Sequence, residues 1–391
     1  TKHIFINNKI SIYLFFLFIG FLIFQTIPLP SEWIKVLSPQ KFDLLKKLEF
    51  SGNLHTISLS PSNSFFGVVN YVTLFLYLII FKVLFNKTSD IFKFYYFLIF
   101  LGALTASVSI YLYLIDDLDI FTIKNIHIIH ERGFFINRTV FSCFLTLCFY
   151  CGIEYLKIIN KYQIDSTHNF FKKIYIRIFI LLITIGIITS FSRLGNFLLI
   201  SLIIIHISQS LYSNDKKNRL FLYTLILILL FDVLIVGFYF GSEKLLERYS
   251  FLKQEIIEYL PSSKEIGFSR ADISKFALSE IRNFFYFGYG GGGFEYLFKL
   301  NYQNSTNIYA AHAHSDIIEF IGEFGIIGSF ILLLSIITLF IKNNIISFKN
   351  CLLFYLLLFI LIFDFSLHIP IILFLFIILL SVDYKKNTIF L

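Results

Sequence analysis

The chain of 391 residues has little charge. Asp, Glu, Lys and Arg together make up 15% of it, while hydrophobic residues make up 57%. An average soluble domain carries about 25% charged residues, so this composition excludes an ordinary soluble enzyme. The mean hydropathy of +0.78 points the same way, and the sequence is that of a polytopic membrane protein.

Cysteine is scarce and methionine is absent. Cys143, Cys148 and Cys151 fall within one apolar run and Cys351 begins another, which excludes a disulfide framework. Cys148 and Cys151 have C-x-x-C spacing, but without a second pair this favours small apolar side chains over a metal or redox site. Because even an initiator methionine is missing, we expect that Thr1 is not the native start, which leaves an upstream spanning segment open.

Long apolar runs recur along the whole chain. A helix needs about 20 apolar residues to cross a bilayer, and the runs predict about ten spanning helices in an all-α fold that forms one membrane-embedded domain, residues 1–391. The predicted spans are Ile10–Ile27, Ser64–Phe85, Ile91–Ile115, Phe134–Leu156, Ile174–Ser190, Leu194–Tyr212, Leu220–Gly241, Gly322–Ile341, Cys351–Ile369 and Ile371–Asp383. The last is short and follows Pro370, which indicates a tilted or broken segment.

Short basic loops predict the orientation. Their Lys and Arg residues all fall on one side of the membrane if the N-terminus is inside, so both termini are expected in the cytoplasm. The opposite, outer face receives the long loop between Gly241 and Gly322, in which residues 242–319 are expected to carry part of a site. Most of the net charge of +8 therefore serves orientation, and no nucleic-acid partner is predicted.

The strongest local signal is the text AAHAHSDIIEFIGEFGIIGSFILLL, in which His314 and Ser315 precede Gly325-x-x-Gly328. It puts an ionisable imidazole directly before a membrane helix, and ionisable residues at membrane depth tend to mark sites. The block resembles the signature of the bacterial O-antigen ligase and O-antigen polymerase family, where His followed by Asn, Ser or Gln precedes Gly-x-x-Gly at this spacing. A histidine that only caps the next helix is the alternative. His312 is near but does not hold the spacing.

The resemblance extends through other segments of about Gly133 to Pro370. Gly133–Thr139 is similar to a Gly-x-Phe-x-Asn element, although the family often has a second Asn where Thr139 stands. Ser190–Arg193 resembles a Ser-Arg turn, and Arg270 with the glycine-rich Phe285–Phe294 resembles an Arg followed by a Phe-closed loop. Asp364–Pro370 resembles a late Asp element that ends in Pro.

This resemblance implies an inverting membrane glycosyltransferase that needs neither a cofactor nor a metal. The donor is a glycan on polyprenyl (undecaprenyl) diphosphate, and the acceptor is a sugar hydroxyl of lipid A-core or of another repeat unit. Breaking the C1–O–phosphate bond calls for cations on the diphosphate, and arginine binds phosphate oxygens in a bidentate manner. Arg193 and Arg270 are expected in this catalytic role. Substrate binding is expected from Arg138, Asn137, Gly290 and Asp364.

His314 is expected to be the general base, because a neutral imidazole accepts a proton near neutral pH. Gly288–Gly293 also fits G-x-G-x-x-G, but no βαβ unit surrounds it, so a dinucleotide site is not predicted. His127 and His130 lack further metal ligands. Asp232, an acid within a predicted span, is expected away from the outer face.

Several functions stay open. In the inner membrane of a bacterium, with the site on the periplasmic face, the chain fits an O-antigen ligase of lipopolysaccharide biosynthesis. A polymerase, or transfer to a protein Ser or Thr, uses the same donor. A polysaccharide transporter or flippase is a rival from another class, but its ionisable residues are expected near the bilayer midplane at a repeat interface, and no internal repeat is visible.

Overall fold

A computed structural model describes residues 9–50, 52–85, 88–114, 133–135, 137–162, 167–212, 223, 226–227, 230, 270–302, 310–342 and 348–381. These residues form two compact units, one within Thr1–Leu84 and Lys253–Pro370, the other within Phe85–Leu252 and Ile371–Leu391. Both are built mainly from helices. In lipid only a helix or a closed barrel satisfies every backbone polar group, and long runs of Leu, Ile and Phe favour the helix.

The first unit holds three long helices, α1, α4 and α11, together with shorter elements. Its elements are α1 Lys9–Thr26, β1 Leu29–Pro30, α2 Ser31–Leu37, α3 Pro39–Lys47, β2 Leu54–His55, α4 Pro61–Leu84, α9 Arg270–Asn283, α10 Phe294–Asn301, α11 Asp316–Lys342, α12 Phe348–Phe363 and a 3₁₀ turn Ser366–His368. Helix α1 packs between α4 and α11 through Phe18, Leu22, Val68 and Phe324. A second core outside the long helices joins α9, α10 and the glycine-rich loop between them.

The second unit holds α5 Thr88–Leu114, α6 Arg138–Tyr162, α7 Thr167–Thr189, α8 Arg193–Tyr212 and α13 Pro370–Ser381, whose first residue belongs to the first unit. Helix α6 contacts α5, α7 and α8 and is surrounded along its length. Small residues let these helices approach closely: a Cβ on Gly102 would lie 2.6 Å from Cβ of Cys148. Cys143, Cys148 and Cys151 form no disulfide and are buried, as expected of small side chains that pack between helices.

The predicted spans within the described residues coincide with helices, but two predicted boundaries are wrong. Helix α6 begins at Arg138 and not at Phe134, and α12 ends at Phe363 and not at Ile369, because Asp364 and the 3₁₀ turn Ser366–His368 follow it. Among the described residues, six helices are long and apolar enough to cross a membrane, and two apolar helices are shorter. This confirms a mostly helical, multi-pass membrane protein. The predicted span Leu220–Gly241 lies almost wholly outside the described residues, as do His127, His130 and Asp232. The total of about ten spans and the single domain therefore stay predictions.

Helix α11 begins at Asp316, not at Gly322 as predicted from the apolar run. The polar residues Asp316, Glu319 and Glu323 interrupt the apolar pattern, so a hydropathy argument starts the helix too late. Residues 316–319, assigned to the outer loop, form its first turn instead. The charges are tolerated there because they are buried against protein, where partners offset the cost of dehydration.

Candidate functional site

Helix α11 is broken at Gly325, which has φ 61° and ψ −176°. The break leaves backbone N–H and C=O groups near Gly325 without partners inside the helix, and residues 285–289 hydrogen-bond them instead. Tyr289 N–H donates to Gly322 O at 2.9 Å, and Ile326 N–H donates to Phe285 O at 2.8 Å. A Cβ on Gly325 would lie 2.4 Å from Tyr286 O. This position therefore needs glycine both for its positive φ and for the close approach of the loop.

The loop Gly288–Gly293 contacts two other segments, namely α11 and the residues just before α4. Gly290 is buried, and its N–H donates to Glu323 O at 3.0 Å. A Cβ there would lie 2.2 Å from Ser58 Oγ. The structure gives Gly290 a role in close contact between segments, and its substrate-binding role stays a prediction.

Three carboxylates of α11, Asp316, Glu319 and Glu323, point the same way because they are spaced three and four residues apart. All three are buried. Glu319 accepts a hydrogen bond from the Ala313 N–H at 2.8 Å, and its other oxygen lies 2.9 Å from His312 Nδ1. Glu323 accepts from the Gly292 N–H at 2.5 Å. The face therefore ties the His314 segment and the glycine-rich loop to one helix.

His368, in the 3₁₀ turn, joins the carboxylates from the opposite side. Its Nδ1 hydrogen-bonds Asp316, while its Nε2 lies 3.6 Å from Glu319 Oε1 and 3.5 Å from Glu323 Oε2. Its ring stacks on Phe320 with centroids 4.4 Å apart. Burial by itself lowers the pKa of His368, but the surrounding carboxylates outweigh burial and raise it well above its usual value. The imidazolium at neutral pH offsets part of the buried negative charge.

His314 lies beside this network in a strained backbone conformation, with φ 57°. Such a conformation in a residue other than glycine costs about 1–3 kcal/mol and persists only where its surroundings enforce it. Glu319 holds the preceding N–H, and the ring of Phe365 meets the imidazole edge to face at 5.3 Å. Burial, then the positive charge of Arg270 and His312, lowers the pKa of His314 to about 4. Its imidazole is therefore neutral at physiological pH.

Arg270 and Asp364 are the other predicted site residues that lie near His314 in the first unit. Arg270 is the first residue of α9, which is tied to the His314 segment by a hydrogen bond from Ser274 Oγ to Ala313 O of 2.8 Å. The Asp364 carboxylate accepts a hydrogen bond from the Ser366 hydroxyl. Burial raises the pKa of Asp364 to about 6, against the opposing effects of Ser366 and Arg270. The structure thus brings together His314, Arg270 and Asp364 among the predicted site residues.

The predicted residues Asn137, Arg138 and Arg193 belong to the second unit. Arg138 is the first residue of α6 and Arg193 the first residue of α8. A Cβ on Gly195 would lie 2.3 Å from Cβ of Ser142, so the first turns of the two helices lie side by side. Asn137 Oδ1 accepts from the Thr139 N–H at 2.7 Å, which caps α6. The two arginines therefore stand at the same end of this unit, both at positive helix termini.

One set of side chains in the described part of the chain could hold a metal ion. His312, Glu319 and His368 each offer one ligand atom, and these atoms lie within 4.8 Å of one another. Two imidazoles and a carboxylate are a donor set that zinc accepts. In this structure His312 Nδ1 lies at hydrogen-bond distance from Glu319 Oε1, 2.9 Å, while His368 Nε2 lies 3.6 Å from the same oxygen, beyond hydrogen-bond distance.

The sequence argument missed Asp316, Glu319, Glu323 and His368 as members of the site. A signal was present: three carboxylates at helical spacing at the head of an apolar run share one face. His368 was quoted only as part of the Asp364–Pro370 element, because nothing local indicates that its ring meets α11. Its partner Asp316 is 52 residues away in sequence.

The comparison with known families gives one match. Residues 178–333 match the family model described as O-Antigen ligase. The matched part runs from α7 into α11 and includes Arg193, Arg270, the glycine-rich loop and His314, while Arg138 and Asp364 lie outside it. No curated protein and no solved structure matches the chain.

Proposed function

Because residues 178–333 match the family model described as O-Antigen ligase, we propose that the chain is a member of the O-antigen ligase and polymerase family and that it transfers a glycan from polyprenyl diphosphate to an acceptor hydroxyl. We assign it first to the ligase reaction, with lipid A-core as the acceptor. The reaction takes place at the periplasmic face of the bacterial inner membrane. The observation that carries the proposal is the half-buried His314 within the matched segment, near enough to Arg270 for that positive charge to help lower the pKa of the imidazole.

In the proposed step the acceptor oxygen attacks C1 of the donor sugar from the face opposite the diphosphate, and the anomeric configuration inverts. The acceptor O–H bond breaks and its proton goes to His314. The C1–O bond to phosphate breaks as well, and its electron pair leaves with the diphosphate. Arg270 stabilises this growing charge through a planar guanidinium that binds two phosphate oxygens.

The low pKa of His314 fits a base that is strengthened by its substrate. In the free protein Arg270 helps to hold that pKa near 4, which keeps the imidazole available but makes it a weak base. A diphosphate bound at Arg270 brings negative charge, which opposes this effect and raises the pKa. The base thus becomes stronger when the donor is present.

Arg193 and Arg138 are proposed to bind the donor diphosphate as well. Each begins a helix, where the backbone N–H groups and the helix dipole favour an anion, and Arg193 is exposed. Asn137 and Asp364 are assigned to substrate binding. With arginines in this role the transfer needs no divalent cation or cofactor.

The deciding experiment supplies purified protein with polyprenyl-linked glycan, with and without lipid A-core. Product linked to lipid A-core, lost in the His314→Ala variant, is the result expected for a ligase. Longer glycan on the polyprenyl carrier without lipid A-core would identify a polymerase instead. Movement of intact donor across a vesicle membrane with no new glycosidic bond would identify a transporter and overturn the proposal.

A further inference from the structure

The segment between α1 and α4, residues 27–60, which we call the hairpin, exposes large apolar side chains outside the long helices. The most exposed are Trp33, Val36, Leu48, Phe50 and Leu54, which are 56% to 77% exposed. Exposed apolar patches on a protein usually mark a surface that something covers.

The exposed side chains and the buried ones lie on different sides of the hairpin. Trp33 and Val36 are three residues apart and share one side of α2, while Ile34 between them is fully buried. The pairing of Pro30 with Leu54 brings the exposed Leu54 next to the start of α2. On the inner side Leu44 of α3 belongs to the core formed by α9 and α10. The hairpin is therefore fixed on its inner side and open on its outer side.

Both ends of the hairpin join spanning helices. It leaves α1 at Thr26 and enters α4 at Pro61, so its base lies where those helices leave the hydrocarbon. The neighbouring faces of α1 and α4 also expose large apolar residues, such as Ile23 and Phe65. Trp is enriched at the membrane interface, and amphipathic helices lie in its plane with their apolar side immersed. Exposed Lys35, Lys46 and Lys47 can extend their charges to headgroups.

We propose that the hairpin lies in the membrane interface, with Trp33 and Val36 immersed among the phospholipids. The occupant of this surface is the bilayer itself. The apolar side of the hairpin continues the lipid-facing surface of α1 and α4.

The hairpin and the first turn of α4 together hold the glycine-rich loop. Leu59 N–H donates to Tyr289 O at 2.9 Å, and Ser64 Oγ donates to Gly291 O at 3.0 Å. The loop in turn contacts Glu323 through the Gly292 N–H. The depth of the hairpin in the membrane therefore fixes the height of the loop and of the carboxylate face beside His314. This consequence rests on the proposed function, since a lipid-linked diphosphate has to be met at headgroup level.

Trp33 is the only tryptophan in the chain, so the unmodified protein carries its own probe. We expect blue-shifted Trp emission in phosphatidylcholine vesicles, strong quenching by lipids brominated on the acyl chains, and little quenching by aqueous iodide. The double variant Trp33→Phe, Phe66→Trp supplies the matched control, because Phe66 is exposed on spanning helix α4. Red-shifted emission that iodide quenches would overturn the proposal. Blue-shifted emission insensitive to both quenchers would mean that protein covers Trp33, which would overturn it too.

A second variant tests the link to the site. Trp33→Glu should lose the hairpin's lipid contact and reduce transfer from vesicle-embedded donor severalfold, while Trp33→Phe should retain transfer. If the unmodified protein is quenched as expected but Trp33→Glu retains full transfer, the hairpin lies in the interface but its depth does not affect the site. That result would overturn the link between the hairpin and transfer. If the unmodified protein forms no glycosidic bond with any acceptor, the proposed function fails while the quenching result still decides the position of the hairpin.

Discussion

The two parts of α11, before and after the break at Gly325, have opposite surroundings. Before Gly325, the helix buries Asp316, Glu319 and Glu323 against histidines and backbone N–H groups. After it, Ile326, Phe330 and Leu333 are exposed, as suits a surface that meets lipid. Charge within a membrane helix is costly unless protein supplies partners. The part of α11 before Gly325 therefore forms a polar site, and the part after Gly325 faces the bilayer.

The largest expected effect on transfer comes from replacing His314, which lies just before the polar part of α11. His314→Ala should leave the protein inserted and able to bind donor, while transfer falls about 10²- to 10⁴-fold, the contribution typical of a general base. Transfer is measured with lipid-linked glycan and acceptor. Leu333→Ala, in the lipid-facing part, serves as the matched control and should stay near normal. If His314→Ala transfers normally and His312→Ala does not, the assigned histidine is wrong.

Arg270→Lys should lose activity and also bind donor more weakly, because a point charge does not replace a planar fork. Arg282→Lys is the control, since Arg282 is exposed near the end of the same helix α9. Donor binding and transfer rate are measured for both variants. Full activity of Arg270→Lys would mean that its charge alone is needed, and would contradict bidentate phosphate binding.

Gly325→Ala should disturb the junction between the two parts. A Cβ there would lie 2.4 Å from Tyr286 O, and the positive φ adds strain, so we expect a loss of about 1–3 kcal/mol in stability. Gly20→Ala is the control, because nothing lies within 4 Å of a Cβ at that position. Thermal unfolding in detergent compares the two. Equal melting temperatures would show that the loop does not need the break in α11.

The pH profile tests the environment of His314 directly. Because burial and Arg270 lower its pKa to about 4, its base form is present throughout the neutral range and is lost only as pH falls through that value. The kcat/KM profile, which reports the free protein, should therefore show its acid limb near pH 4 and not near the usual histidine pKa of about 6.5. An acid limb at the usual value would contradict the buried setting of His314.

The smallest effect is expected from removal of metal ions. If His312, Glu319 and His368 act through hydrogen bonds alone, transfer by purified protein should survive EDTA. Activity lost on EDTA treatment and restored by Zn²⁺ or Mg²⁺ would show that the polar part of α11 holds a cation. His368→Ala would then abolish the restoration.

The sequence by itself determined where most of the membrane-spanning helices lie along the chain. Apolar runs of bilayer length have no alternative to a helix in lipid, so most predicted spans coincide with helices wherever the structure describes them. It also indicated His314, Arg270 and Asp364, although their roles rested on resemblance. Where polar residues interrupted the apolar run, as at the start of α11, the same argument placed the boundary too late.

Only the tertiary structure decided which polar groups meet. His312, Glu319 and His368 come from a loop, a helix and a 3₁₀ turn, and they converge because α11 contacts both α12 and the 3₁₀ turn. The break at Gly325 likewise depends on a loop that arrives from elsewhere in the chain. Helix formation follows from local hydrogen bonds and hydropathy, which a sequence displays. The pairing of buried charges depends on contacts between distant segments, and no local pattern encodes it.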